Sequence, residues 1–280
     1  MTESMYAPGR GESGDWETDA PIFFTVDDGD GGLPGLWMSI AEDDPTLETT
    51  GRIQDFVYPA DEDPDEEGWI ALDHGATYYD EAMETQDPAF HQDRIDLFRC
   101  AELLYLWAAH MGNPFAHLSL GYVYSYDRCE GQYLGLDENG ERICAEGEPF
   151  PHMKCAYECY TLALKSGHPE AYYKVGDFLS HGWACEADPA QAVEFWKRGY
   201  DAAVELDAPG APTWWGAAAL RLGGAYEEGR GCKQSFEEAA FWYETAVTGL
   251  EMAVDAGNWY YERSLASARA GLARCRQELG

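Results

Sequence analysis

The sequence predicts an all-α fold, a right-handed superhelical solenoid of helix-turn-helix repeats that follows an acidic, partly disordered N-terminal segment. Three observations predict it. Apolar residues recur at helical spacing through most of the chain after residue 67. Small residues stand where neighbouring helices must approach closely. One pattern of helix, tight turn and helix returns along the chain, and repetition at a few tens of residues is typical of helical solenoids.

The clearest unit covers residues 168–203. Its first helix is marked by four residues at helical spacing: Ala171, Val175, Gly176 and Leu179. Asp188 is suited to cap the second helix, with Pro189 at its first position and Gln191 completing a capping-box pattern. The second helix carries Phe195 and Trp196 on its apolar face. Such a helix pair cannot bury its apolar stripe alone, so the unit needs neighbours.

Residues 218–246 repeat this unit at identical offsets. Eight positions correspond, from Ala171, Val175, Gly176, Leu179, Gly182, Cys185, Asp188 and Ala192 to Ala218, Leu222, Gly223, Tyr226, Gly229, Cys232, Ser235 and Ala239. Upstream, one first-helix pattern and two second-helix patterns recur: Ala116, Leu120, Gly121 and Tyr124; Ala156, Tyr160, Ala163 and Gly167; Ala101, Tyr105, Ala108 and Gly112. The chain therefore contains about three recognisable helix pairs.

The stretch ALRLGGAYEEGRGC followed by EAAFWYETA resembles the Sel-one-like repeat, a relative of the tetratricopeptide repeat. The resemblance covers roughly the last two thirds of the chain. Cys185 and Cys232 replace the valine of the family's turn, and Ala184 replaces its second glycine. The resemblance implies an interaction scaffold and implies no reaction. Some cysteine-rich secreted members are linked to beta-lactam binding or hydrolysis, a setting that this chain lacks.

The chain is expected to divide into four parts. Residues 1–35 are expected to form an acidic disordered tail, and residues 36–67 a small non-repeat cap or strand pair with a charged linker. Residues 68–258 form the solenoid, with insertions at about 128–151 and 206–213, the first predicted to be a hairpin. Residues 259–280 form a capping helix whose predicted inward residues are Ala266, Ala268, Leu272 and Cys275.

Two helices are expected to precede the first well-defined unit. Residues 69–84 form the first helix of a degenerate leading pair, with Ala76 where the pattern places glycine. A long amphipathic helix follows from about Arg94 to His110, and Gly112 and Pro114 end it. The next first helix runs from Pro114 to about Tyr126, and its second helix starts near His152.

The charge balance restricts the partners. The 280 residues carry 52 acidic and 18 basic side chains, a formal net charge of −34. Such a surface repels phosphates, which excludes nucleic acid as the expected partner. The acidic excess is interpreted as a solvating tail, with attraction to a basic protein or adaptation to high salt left open. No apolar run of membrane-spanning length and no secretory signal pattern occur, so we expect a cytoplasmic protein without a membrane partner.

Catalytic and metal sites receive little support. His152, Cys155 and Cys159 share one helix face, with Cys129 and Cys144 upstream, so a zinc staple is conceivable. No Cys-x-x-Cys pair exists, however, and we expect structural, reduced cysteines and no cofactor. The alternative function is a cysteine- or metal-dependent enzyme, for example a hydrolase, which would pair one of eight cysteines with one of seven histidines.

The expected function is protein or peptide binding by the concave face of the solenoid, as an adaptor or scaffold. First-helix positions pointing away from the packed stripe supply the candidate contacts: Ser119, Tyr122, Tyr126, Lys174, Asp177, His181, Arg221, Gly224 and Glu228. Two bases and a histidine among tyrosines favour an extended or helical peptide with acidic groups and an apolar anchor. The partner's identity and the oligomeric state stay open.

Overall fold

The computed structural model describes residues 22–25, 37–40, 68–129, 151–206 and 208–280. These residues confirm the all-α prediction for the repeat region, since every segment described after residue 67 consists of helices and short connections. The charged linker before residue 68 and nearly all of the insertion predicted to be a hairpin lie outside the described residues.

A short antiparallel strand pair precedes the helices. β1 (Ile22–Thr25) pairs with β2 (Trp37–Ile40), with Ile22 opposite Ile40 and Thr25 opposite Trp37. β1 lies inside the segment expected to be largely disordered, at the short apolar stretch of that segment. Its apolar and β-branched side chains are typical of strands, and this local preference outweighed the acidic composition around them.

Nine helices follow one another in the residues described after position 67. Their bounds are α1 Trp69–Glu84, α2 His91–His110, α3 Ala116–Ser125, α4 Pro151–Ala163, α5 Pro169–His181, α6 Pro189–Glu205, α7 Ala211–Glu228, α8 Phe236–Asp255 and α9 Glu262–Leu279. Single 3₁₀ turns occupy Pro88–Phe90, Leu164–Ser166 and Trp259–Tyr261. The chain divides into two compact units, Met1–Cys159 and Tyr160–Gly280. None of the helices in the described residues is long and apolar enough to cross a bilayer.

In the first unit, α1 and α2 pack as a repeat-like pair. A Cβ atom on Gly75 would lie 2.6 Å from the ring of Tyr105, so only glycine leaves room for that ring. We expected Ala76 to stand at the position of the close-packed glycine. That prediction was wrong by one residue, since Gly75 is buried and Ala76 is exposed. α2 also begins three residues before the predicted Arg94, after Asp87 caps a 3₁₀ turn by accepting from the N–H of Ala89 at 2.9 Å.

The second unit contains two helix pairs built on the same close approach. On α5, a Cβ atom at Gly176 would lie 2.6 Å from Trp196 Nε1 of α6. On α7, the equivalent atom at Gly223 would lie 2.7 Å from the ring of Tyr243 of α8. A missing side chain on each first helix therefore makes the space that an aromatic side chain of the second helix fills.

The two turns between paired helices share their backbone hydrogen bonds. In the first turn, the N–H of Trp183 donates to the carbonyl of Phe178 (3.2 Å) and that of Asp188 to Leu179 (2.8 Å). In the second turn, the equivalent bonds run from Arg230 to Ala225 (2.9 Å) and from Ser235 to Tyr226 (3.0 Å). Asp188 and Ser235 cap α6 and α8 through their side chains, at 2.9 and 3.2 Å. This confirms the predicted N-cap Asp188 and shows that Ser235 has the same role.

The turns of the two repeats differ at one position. Gly231 has φ of 76°, in the left-handed region that glycine tolerates. Ala184 occupies the corresponding place with φ of 118°. An alanine holds such a backbone conformation at an energetic cost, so the turn of the first repeat is strained where that of the second is relaxed.

The C-terminal helix docks through small and apolar residues and is tethered by ion pairs. Leu265, Ala268, Gly271 and Cys275 are buried. The predicted inward position of Ala266 is wrong, since Ala266 is exposed and Leu265 takes the inward place. Three arginines of α9 bind acids of the preceding helices: Arg269 with Glu251 (2.7 Å), Arg274 with Glu227 (2.7 Å) and Arg276 with Glu244 (3.1 Å).

The second predicted insertion, residues 206–213, is partly helical, because α7 already starts at Ala211.

Candidate partner-binding surface

The candidate residues of α5 and α7 differ in how far they reach the surface. Lys174 is 9% exposed, and its ammonium lies 5.8 Å and 6.0 Å from the ring centroids of Tyr160 and Tyr173. The expectation that Lys174 is exposed is therefore wrong. Its aliphatic stem extends along the packed aromatic side chains, and the ammonium approaches ring faces that attract cations.

Asp177 and Arg221 bind each other. Arg221 donates from Nε to Asp177 Oδ1 at 2.5 Å and from a terminal nitrogen to Oδ2 at 2.6 Å, the bidentate geometry that suits a guanidinium and a carboxylate. A further N–H of Arg221 reaches the carbonyl of Ala217 at 2.8 Å, and the guanidinium lies 4.5 Å from the Tyr173 ring centroid. The two bases predicted to attract an acidic peptide, Lys174 and Arg221, are thus engaged within the protein.

Asp177 also receives a hydrogen bond from the second helix of its own repeat. The indole N–H of Trp196 donates to Asp177 Oδ1 at 3.1 Å, and the carbonyl of Tyr173 lies 3.3 Å from the same nitrogen. Asp177 therefore joins three helices, since Trp196 belongs to α6 and Arg221 to α7. This makes Asp177 a structural link between consecutive repeats.

A second link of the same kind was missed by the sequence analysis. Tyr243 Oη donates to Glu227 Oε2 at 2.6 Å, and Arg274 donates to both Glu227 oxygens at 2.7 and 2.8 Å. The Arg274 hydrogen bonds, with help from Tyr243, hold the pKa of Glu227 below its usual value despite partial burial. Burial and the neighbouring carboxylate raise the pKa of Tyr243.

Two other candidates of the second unit are exposed. His181 stacks on Trp183 with ring centroids 4.3 Å apart, and its Nδ1 lies 2.8 Å from the carbonyl oxygen of Asp177. Glu228 lies at the end of α7, 3.3 Å from Arg230 Nε. Gly224, the remaining α7 candidate, carries no side chain and is partly buried. His181 and Glu228 are therefore the predicted contacts that a partner can reach directly here.

The candidates of the first unit lie on α3 and just after it. The rings of Tyr122 and Tyr126 stack with centroids 6.1 Å apart, and Tyr126 is 55% exposed. The guanidinium of Arg128 lies 4.9 Å from the Tyr126 ring centroid and donates to Tyr79 Oη at 3.2 Å. Ser119 is partly buried and hydrogen-bonds the hydroxyl of Tyr105. Tyr126 is thus held in place by an arginine and remains accessible.

A buried polar cluster marks the start of α5. Tyr173 Oη donates to Glu170 Oε1, and both side chains are buried. Burial and the Glu170 carboxylate raise the pKa of Tyr173 well above its ordinary value. His168 caps α5 by accepting the N–H of Glu170 at Nδ1 (3.2 Å), and burial lowers the pKa of His168. Its ring meets Trp214 edge-on at 4.5 Å, which ties α5 to α7.

Four of the described thiols have pKa values above the ordinary range, which disfavours the nucleophilic thiolate form. Burial raises the pKa of Cys129, Cys232 and Cys275, and raises that of Cys155 to about 11. Cys129 also donates to the buried Glu102 carboxylate at 3.3 Å. A catalytic cysteine needs a depressed pKa. Within the described ranges, no group of three or more His, Cys, Asp or Glu side chains is placed to hold a metal ion. Cys144, one member of the conceivable set around His152, lies outside those ranges.

Comparison with known proteins identifies the repeats. Residues 169–204 and 216–248 match the model of the Sel1 repeat. A Sel1 repeat protein from Oxalobacter formigenes, known from its crystal structure, is 18% identical over 58% of this chain and 90% of its own, with a TM-score of 0.34. A protective antigen present in uropathogenic Escherichia coli strains, which displays an SLR fold, is 17% identical over 84% of this chain and 49% of its own, with a TM-score of 0.33.

Proposed function

We propose that the chain is a protein- or peptide-binding scaffold, a role that the match of residues 169–204 and 216–248 to the Sel1 repeat supports. The observation that carries the proposal is the link at Asp177, where Trp196 and Arg221 from two further helices meet one carboxylate. Such a link fixes neighbouring helices in one arrangement. Side chains on their accessible surface are then presented in a preorganised way, which reduces the entropic cost of binding.

The predicted candidates fall into two roles in this proposal. Tyr122, Tyr126, His181 and Glu228 are the contacts offered to a partner, since each is partly or fully exposed. Ser119, Asp177 and Arg221 are positioning residues because each binds a side chain of its own unit, and Lys174 is one because it is buried. The partner is a protein or peptide, and no step of chemistry is assigned to the surface.

The test is affinity capture from the cells that produce the protein, with capture compared between variants of the full chain by quantitative mass spectrometry. The test variant combines Tyr126→Ala, His181→Ala and Glu228→Gln. The control variant combines Phe90→Ala, His91→Ala and Glu278→Gln, which removes similar exposed side chains elsewhere. We expect the test variant to lose specific partners that the control retains, with thermal melts unchanged. Equal capture by both variants would contradict this placement of the surface.

The same experiment also tests the proposed class of function. If the unmodified chain captures no protein above the background of an unrelated acidic protein, the scaffold proposal itself fails. A charge reversal at Lys174 or Arg221 would not serve as a test. Either change would bury an uncompensated charge, so loss of capture would report unfolding.

A further inference from the structure

The connection between α8 and α9 exposes two stacked aromatic side chains. Trp259 and Tyr260 are 59% and 46% exposed, and their ring centroids lie 3.8 Å apart at an interplanar angle of 25°. Exposed large apolar side chains that touch one another form a contiguous patch, and such patches in folded proteins mark interaction sites.

The local fold explains why these two rings point outward. Three aromatic residues follow one another in a single 3₁₀ turn, Trp259–Tyr261. Tyr261 takes the inward direction and packs against a core cluster that includes Leu250 and Leu265. Successive residues of a 3₁₀ turn point in different directions, so the rings of Trp259 and Tyr260 cannot also enter that core.

The backbone holds the stacked pair in place. Main-chain N–H groups of residues 256–259 and 261 all donate to nearby carbonyls, including Asn258 to Ala253 at 3.0 Å and Tyr261 to Asn258 at 3.2 Å. With Tyr261 anchored in the core, the two rings form a fixed platform. Rigid tryptophan and tyrosine side chains lose little conformational entropy on binding and often dominate the energy of an interface.

The charge of the surroundings indicates what the platform would bind. Ring faces carry negative potential and attract cations. The exposed charged neighbours in sequence are Asp255, Glu262 and Arg263, and the whole chain has a formal net charge of −34. A long-range negative field steers basic partners towards the protein and repels acidic ones.

Other aromatic rings in this protein show the geometry available to such a partner. The guanidinium groups of Arg128, Arg198 and Arg221 lie 4.9, 4.8 and 4.5 Å from the ring centroids of Tyr126, Tyr172 and Tyr173. A planar guanidinium stacks on an aromatic ring and remains charged, which an ammonium does less well. We infer that the Trp259–Tyr260 platform binds an exposed arginine of a basic segment in a partner protein, with Asp255 and Glu262 as flanking acceptors. This inference rests on the proposed scaffold function.

The test measures binding of the full chain to a fluorescently labelled peptide of alternating glycine and arginine, by anisotropy at physiological salt. Peptides with lysine or citrulline in place of arginine run in parallel. We expect the arginine peptide to bind more tightly than both. The double change Trp259→Ala with Tyr260→Ala should weaken its affinity about tenfold. The control, Phe90→Ala with Phe241→Ala, removes two other exposed rings, which are 53% and 57% exposed, and should leave affinity unchanged.

A second variant separates ring chemistry from apolar area. Trp259→Leu keeps an apolar side chain without an aromatic face, so it should lose most of the preference for arginine over lysine. Unchanged affinity in the double variant, equal loss in the control, or retained preference in Trp259→Leu would each overturn the inference. If the platform variants still capture cellular partners, the proposed scaffold function holds even though the inference about the platform fails. If the unmodified chain captures no partner, the scaffold function on which the inference rests fails.

Discussion

The two segments that match the Sel1 repeat form the same kind of link with different residues. In the repeat of α5 and α6, Trp196 donates to Asp177, which binds Arg221 of the next first helix. In the repeat of α7 and α8, Tyr243 donates to Glu227, which binds Arg274 of α9. Gly224 occupies the place that corresponds to Asp177, so the carboxylate has moved three residues along the helix.

The shift follows from the length of the aromatic side chain. The indole N–H of Trp196 lies beside the ring junction, close to the carbonyl of Tyr173, and meets a carboxylate at that level. The phenol of Tyr243 carries its hydroxyl at the far end of the ring and reaches a carboxylate about one turn further on. The pattern that is repeated is therefore a chain of contacts from aromatic to carboxylate to guanidinium. Individual positions vary around it.

Burial is the second difference between the repeats. The Arg221 and Asp177 side chains are 25% and 16% exposed, whereas those of Arg274 and Glu227 are 57% and 17% exposed. An ion pair whose guanidinium is largely hydrated contributes less and is screened more by salt. The first link should consequently matter more to stability than the second.

The largest expected effect lies in the turns. At Gly231 a Cβ atom would sit 2.0 Å from the carbonyl oxygen of Pro189, and φ is 76°. Gly231→Ala should destabilise the protein by about 3 kcal/mol or more, through a clash with backbone and through strain. The measurement is denaturant unfolding. Gly257→Ala is the control, since Gly257 also has positive φ (96°) but nothing within 4 Å of the added atom. Equal losses of stability in the two variants would show that the contact between Gly231 and Pro189 of α6 is not tight.

The next effect compares the carboxylates. Asp177→Ala removes the carboxylate that accepts from the Trp196 N–H and from Arg221, and leaves each with a backbone carbonyl as acceptor, so it should cost about 2–3 kcal/mol. Glu227→Ala should cost about 1 kcal/mol, because water can solvate the exposed Arg274. Urea melts of both variants measure the difference. A larger loss at Glu227 would reverse the ranking inferred from burial.

Acid should weaken the second link in a defined direction. The folded-state pKa of Glu227 lies below the ordinary value of 4.5. Its contribution to stability is therefore complete above about pH 4.5 and is lost as pH falls through the folded pKa. Glu227→Gln should lower stability at neutral pH, by less than about 1 kcal/mol, and should flatten the fall in stability over that acidic range, because the charge whose loss causes the fall is already absent. Melts between neutral pH and the acidic range measure this, and parallel curves for the two proteins would count against it.

The smallest effect is a gain. Ala184→Gly should relieve the strain of φ at 118°, offset in part by the greater freedom of glycine in the unfolded chain. We expect stabilisation by about 0.5–1 kcal/mol in the same urea assay. A loss of stability would mean that the alanine methyl makes contacts worth more than the strain it causes.

The sequence predicted the helices and turns better than it predicted the roles of the candidate site residues. Offsets between Ala171 and Ala218 predicted both repeats, and Asp188 was identified as a cap, because these features depend on local spacing. Asp177 and Arg221 were both selected, yet as partner contacts. Whether two side chains 44 residues apart bind each other depends on how helices stack, which the spacing does not encode. The error at Ala266, whose predicted inward place is taken by Leu265, has a similar cause: spacing does not fix how α9 is rotated about its axis.

The most direct test of the paired linkages is a double-mutant cycle at each ion pair. The variants are Asp177→Asn and Arg221→Gln alone and together, and Glu227→Gln and Arg274→Gln alone and together, with free energies of unfolding from urea melts. We expect a coupling energy of about 1–3 kcal/mol between Asp177 and Arg221, and of about 0.2–1 kcal/mol between Glu227 and Arg274. Zero coupling at Asp177 and Arg221, or a larger value at the exposed pair, would contradict the account.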